Sequence, residues 1–502
     1  MRRLILFLSL ALLFAAAPAR AEWRRAESPH FVVYSEESEA RLRERILLLE
    51  DYDRLLRILT TVEGDTAPTK LNVYIVSGTR DIQVIRPGMG RFVAGFYTAT
   101  PFGIAAFVDS DVAVGARRND DNEVLFHEYA HHFMMQYAPN PYPAWYIEGF
   151  AEYYQTARFR ESAIEFGNYS QARAYIVDPS QWLPMERVLF GDTSGMDERQ
   201  IAYFYAQAWL TVHYFFSTPE RQQVLRRYLN GRHGENTEEA FQAATGFTAT
   251  RFRDELRRYI RNGQIAYHRM TRASVETPPP VTVTPLTASA SDLVLYEAAL
   301  RIGVEESNQA RFLERVRGIA RRHPQDPYAQ RVLAHAEILF GEPATAQRLL
   351  EPLLAAAPND AELLYLKGMY HLTAAQKGED SDNQAREARR WFTRAHRADP
   401  NHFQTLYRFA ESLRGEPEYR SENTRNVLLL AHELAPQVSD ITMNAALLLM
   451  SRREFADAEA LLLPLAYDPH NASLREAARR LLEQARTHTV PGADEQAPAT
   501  EG

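Results

Sequence analysis

The chain has 502 residues, 45% of them hydrophobic and 24% charged, with a formal net charge of −8 and no cysteine. A length of this order supports two or more domains with cores of their own, and the ordinary globular composition excludes a fibrous or wholly disordered chain. The acidic balance, with no basic run to reverse it locally, argues against a nucleic-acid surface, and the lack of thiols excludes disulfides in any compartment.

At the N-terminus Arg2 and Arg3 precede an apolar run, Leu4 to Ala17, followed by Ala19, Arg20 and Ala21. That order predicts a secretory signal over residues 1–21. The run is shorter than the ~20 residues a membrane span needs, so cleavage after Ala21 is expected rather than retention as an anchor. Losing Arg2, Arg3 and Arg20 moves the formal charge from −8 to −11. No later stretch is long and apolar enough to span, so no stable membrane insertion is expected after cleavage. A secreted protein, best matched to a bacterial periplasm, is the expectation.

Residues 22–272 mix short β-rich runs, such as Phe31 to Tyr34 and Leu71 to Val76, with segments of helical period, an α+β pattern. The run Gly103 to Asp109 reads as a strand, either in the core or at a sheet edge. Asn122 to Tyr137, NEVLFHEYAHHFMMQY, predicts a helix capped by Asp120 or Asp121 and stopped by Pro139 and Pro141. On it His127 and His131 are four apart, so both imidazoles project from one face and can bind one zinc ion. Glu128 beside them is placed as general base toward a zinc-bound water. An HExxH pattern alone has little specificity. Its context is a second helix-like stretch, Trp145 to Tyr154, whose Glu148 lies seventeen residues past His131 amid aromatic neighbours. A buried carboxylate needs a partner, and zinc would supply one.

At these residues the sequence resembles the gluzincin peptidases, the clan of thermolysin and aminopeptidase N, and most closely the peptidase MA-like proteins. The resemblance spans roughly Glu22 to Arg272, its specific part being the two helices. It implies an α+β zincin-like (thermolysin/aminopeptidase-type) catalytic domain binding one zinc ion per chain through His127, His131 and Glu148, with Glu128 as base. It also places Glu152 behind a ligand histidine as an orienting carboxylate, and Tyr205, on a predicted helix from Tyr203 to Phe216, as donor to the oxyanion. Tyr203, Tyr205 and Tyr214 also fit as core aromatics at helical spacing. His132 and His213 read as packed or surface histidines. The run Glu148 to Ala151 is similar to the aminopeptidase pattern, but no glycine-led motif for a free N-terminus precedes it, which points to an endopeptidase acting on polypeptide. The loop Ala138 to Ala144, with three prolines, forms one wall of the expected cleft. Zincins commonly bind substrate along a sheet edge over the metal, for which Gly103 to Asp109 is a candidate.

Residues 273–292, with Pro278, Pro279, Pro280 and Pro285 among threonines, valines and serines, predict an extended linker. Beyond it prolines recur at 324, 358, 400, 436 and 469, at intervals of 34, 42, 36 and 33, near the tetratricopeptide period. A polar insertion near Gln376 to Asn383 accounts for the longest interval. Gly368 and Ala346 fall where helices must approach closely, and Trp391 with Phe392 packs the next turn. Residues 293–487 are therefore expected to form an all-α superhelix of four or five TPR-like repeats whose groove holds a protein partner, with a plain helical bundle as the alternative. Residues 488–502 read as a disordered tail.

Two other functional readings stand beside the peptidase. One is a non-catalytic periplasmic interaction protein with a structural or vestigial zinc site, against which the intact Glu128 speaks. The other is a hydrolase of non-peptide amides, such as those of cell-wall material.

Overall fold

The computed structural model describes residues 22–64, 69–89, 95–110, 121–170, 173, 178–231, 236–263, 265–272, 278–378, 380–468 and 471–491. The expected signal, residues 1–21, and residues 492–502 of the expected tail lie outside the described residues.

Six strands form a mixed sheet in the order β4 (Gly95–Thr100), β5 (Gly103–Asp109), β3 (Leu71–Val76), β2 (Phe31–Ser35), β1 (Arg24–Glu27) and β9 (Thr282–Pro285). The β2–β3 and β3–β5 pairs are parallel, and the other three are antiparallel. Side chains of a strand alternate between faces. Val73, Ile75, Ile104, Ala106 and Val108 accordingly enter one core, and Tyr74, Val76, Ala105 and Phe107 another. The first face is covered by α1 (Glu39–Thr60) and α3 (Asp121–Tyr137), and the second by α2 (Thr79–Ile85) and α10 (Ala288–Ile302). With both faces covered, all seven residues of β5 are buried. Gly103–Asp109 is thus an interior strand, not the sheet edge offered as one reading of the sequence, because β4 closes its outer side.

The remaining front helices are α4 (Ala144–Tyr154), α5 (Met185–Phe190), α6 (Glu198–Phe216), α7 (Pro219–Gly231), α8 (Glu238–Thr245) and α9 (Ala249–Arg261). A small sheet of β6 (Arg158–Phe159), β7 (Ala163–Phe166) and β8 (His268–Thr271) flanks them. The start of α6 is set by a capping box, in which Asp197 accepts from the Gln200 amide and Gln200 reaches back to the Asp197 amide.

After α10 the described residues are helical to Arg486: α11 (Glu306–Ala320), α12 (Pro327–Phe340), α13 (Pro343–Ala356), α14 (Ala361–Gln376), α15 (Ser381–Ala398), α16 (Phe403–Glu411), α17 (Glu422–Leu434), α18 (Ser439–Ser451), α19 (Phe455–Leu465) and α20 (Ala472–Arg486). Consecutive helices joined by short turns pack as hairpins, from α10 with α11 to α18 with α19. Pro324, Pro358, Pro400 and Pro436 each lie in the turn that follows the second helix of a hairpin, where their missing N–H and fixed φ end the helix at no cost to a ladder. The sequence spacing of these prolines therefore has a structural cause. A Cβ on Gly368 of α14 would lie 2.4 Å from the Phe392 ring of α15, which accounts for a glycine there.

The structure departs from the sequence reading at the junction. Within residues 273–292, expected as linker, Thr282–Pro285 is the edge strand β9, paired with β1 in register Glu27↔Thr282 to Arg24↔Pro285. Helix α10 starts at Ala288 and buries Val294, Ala298 and Ile302 against Trp23, Tyr74 and Phe107 of the sheet. Pro, Thr and Val disfavour helix and suit an edge strand, where proline's missing N–H faces away from the ladder. Extended composition was legible, but not its partner.

Candidate metal centre

Helix α3 buries Leu125, Phe126, Tyr129, Ala130 and Phe133 in the core beneath the sheet. Phe126 stacks on Tyr52 of α1 with centroids 4.0 Å apart, and the Tyr129 hydroxyl donates to Asp53 at 2.6 Å. That stripe fixes the rotation of the helix, so His127 and His131 project from another face. The chain then turns through Ala138 to Pro143 and enters α4 at once, with the Tyr146 and Ile147 amides bonded to the Pro143 carbonyl.

Helix α4 is drawn close to α6 at Gly149. A Cβ there would fall 2.4 Å from the Ala208 carbonyl oxygen and 2.6 Å from Val212, so only a glycine permits this crossing. The crossing aims the neighbouring Glu148, 1% exposed, at the two imidazoles.

The three side chains converge. The Nε2 atoms of His127 and His131 are 3.1 Å apart, and Glu148 Oε2 lies 3.6 Å from the first and 3.5 Å from the second. Tetrahedral zinc, with bonds of about 2.0–2.2 Å, requires donors roughly 3.3–3.5 Å apart. Two imidazoles and one carboxylate at this spacing thus fit a zinc ion, and among the described residues they are the one group of three or more potential ligands whose donor atoms lie within 4.8 Å of one another.

Electrostatics agree with a site built for a cation. Burial alone would depress the His127 imidazole, yet Glu148, Glu152 and Glu128 outweigh it and raise its pKa to about 9. Glu128 is half-buried, its charge is felt by His127, Tyr205 and Tyr97, and no other described residue holds its carboxylate by a hydrogen bond. Glu152, 2% exposed, lies with Oε1 3.7 Å from His127 Nδ1, on the side away from the shared Nε2 atoms. The Tyr205 ring is 6.2 Å from that of His127, and the negative charge of Glu148, then burial, drives its hydroxyl pKa up, keeping it a neutral donor. The structure therefore brings together all six residues singled out from the sequence: His127, His131, Glu148, Glu128, Glu152 and Tyr205.

His132 and His213 are elsewhere. His132 Nδ1 meets the Tyr97 hydroxyl of β4 at 3.1 Å, and burial lowers its pKa to about 3. His213 lies between the Tyr259 hydroxyl, at 2.8 Å, and the Ala266 carbonyl, at 3.1 Å. Both are packed and neutral.

Sequence reasoning missed Arg173. Its guanidinium holds Glu152 at 2.8 and 3.2 Å, Gln155 adds a bond of 2.6 Å to the same carboxylate, and the Arg173 guanidinium carbon is 5.6 Å from the centre of the Tyr205 ring. No local signal marks an arginine twenty-one residues beyond its partner. The helical array was expected, but not its part in the cleft. The turn between α17 and α18 and the end of α19 face the end of α3, so Pro436, Gln437 and Leu465 line a cleft opposite Met135, Tyr142 and Ile147, with His131 on its wall. The proline-bearing loop does form a wall of this cleft, as expected, but the facing wall comes from the array.

Comparison with models of known families finds none that matches the chain, and none of the curated proteins matches it. Among solved structures the chain is similar to a thermophilic TPR protein of Thermus thermophilus, at 18% identity and a TM-score of 0.33, over 39% of this chain and 100% of that one.

Proposed function

We propose that this chain is an exported zinc metallopeptidase of gluzincin type, cleaving polypeptide internally, whose helical array engages the substrate or a partner protein. The observation that carries the reading is the convergence of His127, His131 and Glu148 from two helices at donor spacings of 3.1–3.6 Å, with Glu128 one residue from the first ligand.

His127 and His131 would hold the ion through Nε2 and Glu148 through a carboxylate oxygen. Zinc, when bound, supplies Lewis acidity that polarises a scissile carbonyl and acidifies a water. Glu128 accepts the water's proton on its carboxylate and hands it to the leaving amine nitrogen. Tyr205, kept protonated by its anionic surroundings, donates a hydrogen bond to the oxygen on which negative charge develops. Glu152, fixed by Arg173 and Gln155, stands 3.7 Å from His127 Nδ1 as the carboxylate that would orient the ring and so present Nε2 to the ion. A carboxylate placed as general base, as Glu128 is beside the first ligand, has no role in a purely structural zinc site, which usually closes its fourth position with a further ligand.

The test is a Glu128→Gln variant beside the parent, both analysed for zinc and assayed on unfolded polypeptide and on wall fragments, with and without chelator. The expected result is one zinc per chain in both proteins, chelator-sensitive cleavage of polypeptide by the parent, and a loss of about 10²–10⁴ in turnover for the variant. Absence of stoichiometric metal, or unchanged turnover in the variant, overturns the reading. Cleavage of wall fragments alone transfers it to the non-peptide amide class.

A further inference from the structure

A second cleft, remote in composition from the metal centre, lies at the seam between the sheet layer and the first helical hairpin. One wall is α2 with the turn that follows it, and the other is the end of α10 with α11. It encloses about 410 Å³, and four guanidiniums line it: Arg80 and Arg86 from the first wall, Arg311 and Arg315 from the second. Glu305 is the one carboxylate in the lining, while Tyr296 with several aliphatic side chains supplies apolar surface between the charges.

Several arginines that reach across to other helices are matched to acids, as Arg317 is to Glu337, Arg331 to Glu297 and Arg425 to Glu454. The four guanidinium groups in the cleft have no hydrogen bond or ion pair to another described residue, although that of Arg86 lies 5.8 Å from the centre of the Phe96 ring. A single exposed arginine without a partner is ordinary. Four converging on one concavity, in a chain of net charge −8, concentrate positive potential against the overall sign of the molecule. The guanidinium fork matches a carboxylate or phosphate oxyanion.

We propose that this cleft binds an acidic segment of another polypeptide, its carboxylates on the four arginines and its apolar side chains against Tyr296. The shape favours a chain over the alternatives. The volume exceeds what one oxyanion fills, the concavity is closed to a flat bilayer, and apolar surface between the charges suits a peptide better than a polyphosphate. The site is independent of the metal reading and is testable on metal-free protein.

The experiment is fluorescence anisotropy of a labelled short peptide in which glutamate alternates with alanine and leucine, added to the full chain. Competing probes are the glutamine counterpart of that peptide, inorganic phosphate and phosphatidylglycerol vesicles. Saturable binding is expected, weakening with added salt. It should fall about tenfold in Arg311→Glu/Arg315→Glu and, from the opposite wall, in Arg80→Glu, each with an unchanged thermal midpoint. It should be retained in Arg226→Glu/Arg227→Glu on α7, which borders neither wall. The proposal is overturned if the glutamine peptide binds equally well or if the α7 variant loses as much affinity. It is equally overturned if phosphate or vesicles bind as tightly as the acidic peptide with the same dependence on Arg311 and Arg315.

Discussion

Gln437, in the turn between α17 and α18, donates its side-chain amide to the Gln136 side-chain oxygen on α3 at 2.9 Å, across 301 residues of chain. Both side chains are buried, and the Gln437 amide also acts on the Tyr97 hydroxyl of β4. Thr69 donates to the Leu434 carbonyl, Gln404 to the Phe102 carbonyl, and Arg475 pairs with Asp192 at 2.7 Å. One hydrophobic core runs from Phe31, Val73 and Phe133 to Leu434, Val438 and Ile441. The array is thus packed onto the front half instead of hanging from a tether.

That continuity predicts one cooperative unfolding event. Calorimetry of the intact chain should show a single transition, and a fragment ending at Arg272 should not fold to a soluble monomer. It would lack β9 and α10 and would expose the front-half side of the shared core. Two resolved transitions in the intact protein, or a stable fragment, would contradict the shared core.

Metal binding should be visible as stability. Zinc at a hundredfold over its dissociation constant should stabilise the parent by about 2.7 kcal/mol, read as a higher thermal midpoint. In Glu148→Gln the increment should vanish, since an amide removes the anionic donor from the triad. An equal zinc-dependent rise in parent and variant would place the ion elsewhere.

Gly149→Ala tests the helix crossing apart from the ligands. The added methyl would overlap the Ala208 carbonyl and Val212, forcing α4 from α6 and Glu148 out of line. A stability loss of about 1–3 kcal/mol is expected, together with weaker zinc binding. Loss of stability with unchanged zinc affinity would show that the spacing of the two helices does not govern the triad.

Buried histidines set an acid limit. Burial lowers His213, His335 and His432 to about 4, against 6.5 in an exposed chain. Below pH 6.5 the unfolded chain takes up protons that the fold refuses, so stability is greatest above 6.5, where these groups add no pH dependence, and falls as pH drops from 6.5 toward 4. His127, raised to about 9 in the metal-free protein, runs the other way. Its contribution is complete below pH 6.5 and is lost as pH rises through 9. Thermal midpoints of the metal-free protein, in which the His127 contribution is constant below pH 6.5, should therefore decline from pH 6.5 toward 4, and His432→Gln should shrink the decline. A flat profile over that range would refute the assignment.

Much of the site was readable because it is local. Four-residue spacing on a helix puts His127 and His131 on one face whatever surrounds them. The aromatic stretch around Glu148 signals burial of a charge that needs a counter-ion. The hairpin period was readable for a similar reason, since Pro324, Pro358, Pro400 and Pro436 end helices through their own ring geometry. Partners distant in sequence were not readable. Nothing near Arg173 announces Glu152, and a proline- and threonine-rich run reads as extended whether it is a tether or, as at Thr282–Pro285, the edge of a sheet.

The division follows from range. Sequence alone determined the properties that depend on a turn or two of chain: the α+β front and helical rear, the histidine face of α3, and the turns that close the hairpins. Tertiary structure decided what depends on burial between remote segments. It placed Glu148 through the approach of Gly149 to α6, made β5 an interior strand, and seated α17–α19 opposite the end of α3. Such contacts arise from the shared removal of apolar surface from water, which sums over the whole chain and leaves no local mark at either partner.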